Sequence, residues 1–161
     1  MKELASYLND HLAGSVGALE LLEHWADLHA GKRLGDFFRD IEAEIQADQE
    51  KLRDAMRCLG IEESNLRKAG AWVAEKAGRA RLIIAGNEPG RLGLVLTLEG
   101  IIMGVTGKRL MWRSLSAANL SQLGGYDFEE LQRRAQQQIE RVEAERMRAV
   151  LEVFADTNSC K

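Results

Sequence analysis

The chain has 161 residues, 45% hydrophobic and 29% charged, with 22 basic against 25 acidic side chains and a formal net charge of -3. That length supports one domain with a real core and is too short for two ordinary ones, and the composition excludes a disordered or membrane-embedded chain. The near balance of charge gives no whole-molecule field to gather nucleic acid, so no nucleic-acid partner is expected.

A single proline, Pro89, interrupts long stretches of Ala, Leu, Glu, Arg and Gln. These residues lose little rotamer freedom in a helix, and the pattern predicts an all-α protein. The start, MKELASYLNDHLAG, has no apolar segment behind a basic one, so no secretory signal is expected. It belongs instead to a first helix, from about Glu3 to Ala30, with an apolar stripe of Leu4, Leu8, Leu12, Ala18, Leu19, Leu22 and Trp25. His11 lies within that stripe with Ser15 one turn on, whereas Glu20 and His24 fall opposite.

Gly31 ends this helix, and a second is expected from about Leu34 to Leu59, with Phe37, Ile41, Ile45, Leu52 and Ala55 on one face. Asp48 falls among them, and Glu44 lies at the edge. A connector of some 30 residues, about 60 to 90, follows Gly60. Within it Ser64 can cap a shorter helix whose Leu66, Ala69, Trp72, Val73, Ala77 and Ala80 recur at helical spacing.

The third helix, about Arg91 to Leu115, is the most apolar stretch, and Glu99 stands in its middle between Leu92, Val95, Leu96, Ile102 and Met103. It falls short of the roughly 20 apolar residues that a spanning helix needs, so no membrane contact is expected and the location is read as cytoplasmic. Gly93, Gly100, Gly104 and Gly107 collect on its other side, which calls for something packed closely there: the connector, or a second copy in a symmetric homodimer. The Gly124-Gly125 pair and Asp127, with Glu130 three residues on, announce a fourth helix to about Ala155. Its stripe of Phe128, Leu131, Ala135, Ile139, Val142, Ala149 and Val153 is interrupted by Arg146. The last residues, about 156 to 161, read as a frayed tail.

Short links within the pairs and a long one between them predict one bundle domain over residues 1 to 161, built of two antiparallel hairpins with a long crossover. Each long helix then offers one ionisable side chain to the core: His11, Asp48, Glu99 and Arg146. An unpaired charge there costs several kcal/mol, so the four are expected to form a mutually neutralised polar cluster, with Arg146 the first partner of Glu99 and His11 the next. Cys58 and Cys160 have no neighbouring Cys or His and indicate neither a disulfide framework nor zinc. The basic residues Lys76, Arg79, Arg81, Arg91, Lys108, Arg109 and Arg113, interleaved with acids, read as a solvated face.

The hairpins, the crossover and the inward acids resemble the ferritin-like superfamily over about residues 3 to 155. The segments YLNDHLAGSVGALELLEHW and DIEAEIQADQEKLRDAMRCLG also resemble a group of uncharacterised bacterial ferritin-like proteins. The resemblance implies a ferritin-like four-helix bundle and raises the question of iron. Di-iron members carry one Glu on each of two helices and Glu-x-x-His on each of the other two. Here Glu99 matches, but the first helix has His11 and Ser15 at the expected place. In the second, Ala47 stands where the motif histidine belongs after Glu44, and in the fourth Arg146 stands three residues after Glu143. The di-iron site is therefore read as degenerate, with Arg146 in the electrostatic role of the metal. The favoured function is a non-enzymatic structural or interaction protein with no cofactor. One alternative is a metal-handling protein or oxidoreductase holding iron or manganese through His11, Glu44, Asp48 and Glu99. The other is a binder of a small anionic ligand through Arg146 and His11.

Overall fold

The structure, a computed structural model, describes residues 1–64 and 91–155. Four long helices account for most of them: α1 Lys2–Leu28, α2 Arg33–Cys58, α3 Arg91–Ala118 and α4 Phe128–Ala155, with a 3-10 turn at Ser121–Leu123 before α4. No strand occurs among the described residues, and none of the described helices is long and apolar enough to cross a membrane. The shorter helix expected around Trp72 and the tail from 156 to 161 lie outside the described residues.

The helix ends follow local chemistry. Gly31 and Gly60 take the left-handed backbone conformation, with φ of 74° and 65°, that lets the chain turn away after α1 and α2. Asp127 Oδ1 accepts the backbone N–H of Glu130 at 2.9 Å and caps α4. Gly35 matters for space rather than for turning. A Cβ there would come within 2.3 Å of the His29 carbonyl oxygen, so only glycine allows the end of α1 and the start of α2 to pass this closely.

Two apolar clusters fill the bundle. One joins Leu22, Trp25 and Ala26 of α1, Phe38, Ile41 and Ile45 of α2, Val95, Leu98, Ile101 and Val105 of α3, and Ala135, Val142 and Ala149 of α4. The other joins Leu8 and Leu12, Leu52 and Met56, Met111, Trp112 and Leu115, and Leu131 of the same four helices. The order of these contacts fixes the directions. Moving from the first cluster to the second, residue numbers rise along α2 and α3 and fall along α1 and α4. The hairpins α1–α2 and α3–α4 are thus antiparallel, while α2 and α3 run parallel, and the chain leaves α2 at one end of the bundle and enters α3 at the other.

Two helices present a face different from the expected one. On α4 the buried positions are Leu131, Ala135, Gln138, Val142, Glu145 and Ala149, so Gln138 and Glu145 point inward and Ile139 and Arg146 sit beside the seam. On α3, Leu92, Leu96 and Met103 are exposed at 55%, 45% and 70%, and the core side is carried by Val95, Leu98, Ile101, Val105 and Trp112. Close packing over the α3 glycines is not seen at two of them. A Cβ at Gly100 or Gly104 would meet nothing within 4 Å, and one at Gly107 would only touch His11 Cε1 at 3.8 Å.

Candidate functional site

Between the two apolar clusters lies a polar layer to which every helix contributes. Asp48 on α2 is 1% exposed and faces α3 and α4. Lys108 Nζ on α3 donates to Asp48 Oδ2 at 2.5 Å and to Gln138 Oε1 on α4 at 2.6 Å. Gln138, itself 1% exposed, returns its Nε2 to Asp48 Oδ2 at 3.1 Å, closing a three-membered ring of hydrogen bonds. Arg134, one turn before Gln138, brings Nη2 to 3.2 Å from Asp48 Oδ1; this is an ion pair without the alignment of a hydrogen bond.

The layer continues on the side of α1. Gln49, next to Asp48 and also buried, donates to Ser15 Oγ at 2.8 Å, and Ser15 donates in turn to the Leu12 carbonyl at 2.6 Å. Arg53 donates to Gln49 Oε1 at 2.5 Å from the half-exposed edge of α2. A carboxylate, an ammonium and two amides thus replace apolar packing across the middle of the molecule.

The electrostatics follow from burial. Lys108 keeps only 15% of its side chain exposed, and loss of water pushes its pKa below the ordinary lysine range while Asp48 pulls it back up. An ammonium in such a place is sustained by the carboxylate 2.5 Å away and by the Gln138 carbonyl.

Of the four inward residues expected from the sequence, Glu99 has Arg146 as its partner, as expected, while Asp48 is partnered by other residues. Asp48 is buried as expected, but with Lys108, Arg134 and Gln138 as partners. Glu99 is 45% exposed along its side chain and stands 3.5 Å from Arg146 Nη1, at the outer edge of α3 and α4. Arg146 engages Glu143 more closely, through Nε at 2.6 Å and Nη2 at 2.7 Å, so its first partner is a neighbour on its own helix. His11 is half-buried, lies edge-on to Tyr7 with ring centroids 4.7 Å apart, and has its pKa lowered by burial, with Asp10 opposing. A lowered pKa favours the neutral ring, which removes it from the charge balance of Asp48. Glu44 pairs with Arg141 on the surface rather than joining Asp48.

Sequence reasoning missed Gln49, Arg134 and Gln138 of this layer, and two further charged residues. Lys108 belongs to a run of basic residues that reads as solvated, and only its helical phase, three and seven residues after Val105 and Ile101, could have marked it as inward. Glu145 is the second. It is 4% exposed and accepts Arg33 through both oxygens, at 2.9 Å and 2.6 Å, and Arg148 at 2.9 Å. These hydrogen bonds, that from Arg33 foremost, hold its pKa below the usual carboxyl range despite burial.

The described residues around Asp48 do not fit a metal. Asp48 is surrounded by an ammonium and a guanidinium, so a divalent cation placed beside it would meet two positive charges. Among the described residues no three His, Cys, Asp or Glu side chains converge on one point. An open hollow on the outer surface between α2 and α4 is lined by Glu44, Arg134, Gln137, Glu140, Arg141 and Ala144. Its two arginines are already paired with Asp48 and Glu44, and its acids balance them. Comparison of the chain with protein-family models, with curated proteins and with solved structures gave no match.

Proposed function

We propose that this protein is a ferritin-like bundle in which an internal ion pair stands where relatives hold a di-iron centre, and that it serves as a non-enzymatic structural or interaction protein. The observation that carries the reading is the contact of 2.5 Å between Lys108 Nζ and Asp48 Oδ2, in a layer drawn from all four helices. Inward acids on such helices are the raw material of a carboxylate-bridged metal site. Here one acid remains in the layer, and a lysine supplies the positive charge. The parallel α2 and α3 with their long link support the ferritin-like assignment. A layer whose described donors and acceptors are largely occupied by one another favours neither an open coordination position nor a substrate site at Asp48. The role in electrostatics that the sequence suggested for Arg146 passes to Lys108.

Metal analysis of protein purified without chelator, with an iron-loaded ferritin alongside, tests the reading. Iron and manganese are expected far below one per chain, both as purified and after incubation with Fe(II) in the absence of oxygen. Stoichiometric metal that disappears on Asp48→Ala would refute it.

A further inference from the structure

The outer face of α3 repeats every seven residues. Gly93, Gly100 and Gly107 form one column, and Leu96, Met103 and Leu110 form the next, three positions on. Among the described residues none packs over the large column: Leu96, Met103 and Leu110 are 45%, 70% and 48% exposed, and a Cβ at Gly100 would meet nothing within 4 Å. Alternating steps of three and four over a heptad are the pattern of a helix that packs along its length against another helix.

We infer that this face joins a second copy of the chain, α3 against α3, antiparallel about a two-fold axis at the level of Val105. The register follows from the sequence, because antiparallel pairing sets each position of one column opposite the other column of the partner. Gly100 then receives Leu110 of the partner subunit and Ser114 receives Leu96 of the partner subunit, while Met103 of the partner subunit comes to Gly107, where His11 of the same chain bounds the space with its Cε1 3.8 Å from where a Cβ would stand. Every large side chain meets a small one, and the glycines let the two backbones approach. The same register sets Glu99, 45% exposed, on the flank of the exposed Arg113 of the partner subunit, about 3 Å from it in level and within reach of an ion pair, and two-fold symmetry makes that pair twice. Shifting the register by one heptad sets Glu99 against Thr106 instead and loses both ion pairs, so charge and size select the same alignment.

Sedimentation or light scattering on the full chain, with circular dichroism to monitor folding, provides the test. The wild-type protein is expected to be a dimer. Met103→Glu, at a position 70% exposed and outside the core, is expected to give a folded monomer. Glu99→Arg or Arg113→Glu alone sets like charges across the axis and should weaken the dimer about tenfold or more, while the double exchange restores it. Because the double exchange also removes the contact of Glu99 with Arg146, recovery reports on the contact between copies and not on the fold of one. A monomeric wild type, a dimer indifferent to Met103→Glu, or a double exchange no better than either single change would overturn the proposal.

Discussion

At the scale of single residues, the energetics centre on two buried carboxylates that are neutralised differently. Asp48 is almost wholly enclosed, and Lys108, Gln138 and Arg134 converge on it. Removing one member of such a set strands the others without water. Lys108→Met is therefore expected to lower stability by about 3 kcal/mol in urea denaturation. Asp48→Leu combined with Lys108→Met should cost clearly less than the sum of the single changes, since no charge is then left behind. Glu145 is held by arginines whose side chains are 64% and 62% exposed, so solvent screens the interaction and its worth is about 1 kcal/mol. Its folded pKa is depressed, so that stabilisation is present above the unfolded carboxyl value of about 4.3 and is lost as pH falls through the folded value. Acid titration of the unfolding midpoint should show a decline below about pH 4.3 that is shallower in Glu145→Gln.

At the scale of helices, the sequence and the structure agree where the signal is local and part where it is rotational. The expected span of about Leu34 to Leu59 corresponds to α2 at Arg33–Cys58, and Asp127 caps α4 through Glu130, because glycine and capping residues act within one turn. The face of α4 is a finer matter. With 3.6 residues per turn, Ala135, Ile139, Val142, Arg146 and Ala149 make as regular a stripe as Ala135, Gln138, Val142, Glu145 and Ala149, and Ile139 makes the first the more apolar, although the structure buries the second. Arg33, at the start of α2, decides it by reaching across to Glu145. On α3 apolar residues surround the helix, so no moment points to the core and Glu99 reads as central when it lies near the rim. Gly35 carries a prediction of its own: Gly35→Ala would place a methyl 2.3 Å from the His29 oxygen, prise the α1–α2 hairpin apart, and lower stability by about 2 kcal/mol in thermal unfolding.

At the scale of the molecule, a polar layer divides the core into two apolar halves, each with its own buried tryptophan, Trp25 at 1% and Trp112 at 0% exposed. All four helices run through both halves, so the halves should not unfold apart. In two variants that keep only Trp25 or only Trp112, fluorescence and far-ultraviolet ellipticity are expected to give coincident midpoints in guanidinium. Separate midpoints would show that the layer uncouples the halves. The layer itself gives up apolar burial at the centre of the bundle, and its directional hydrogen bonds tie Ser15 to Gln49, and Asp48 to Lys108 and Gln138, at one level. Such a device fixes how four similar helices align along their axes.

What the amino-acid sequence determined alone was the helical class, the four long helices, the short and long links between them, and the presence of a buried acid at Asp48. These depend on propensity, periodicity and capping, which are written within a few turns of chain. The tertiary structure decided which cation answers that acid. Lys108 lies 60 positions from Asp48, and Glu145 lies 112 from Arg33. Pairings at that distance depend on the rotation and level of whole helices, which packing sets and no local pattern records.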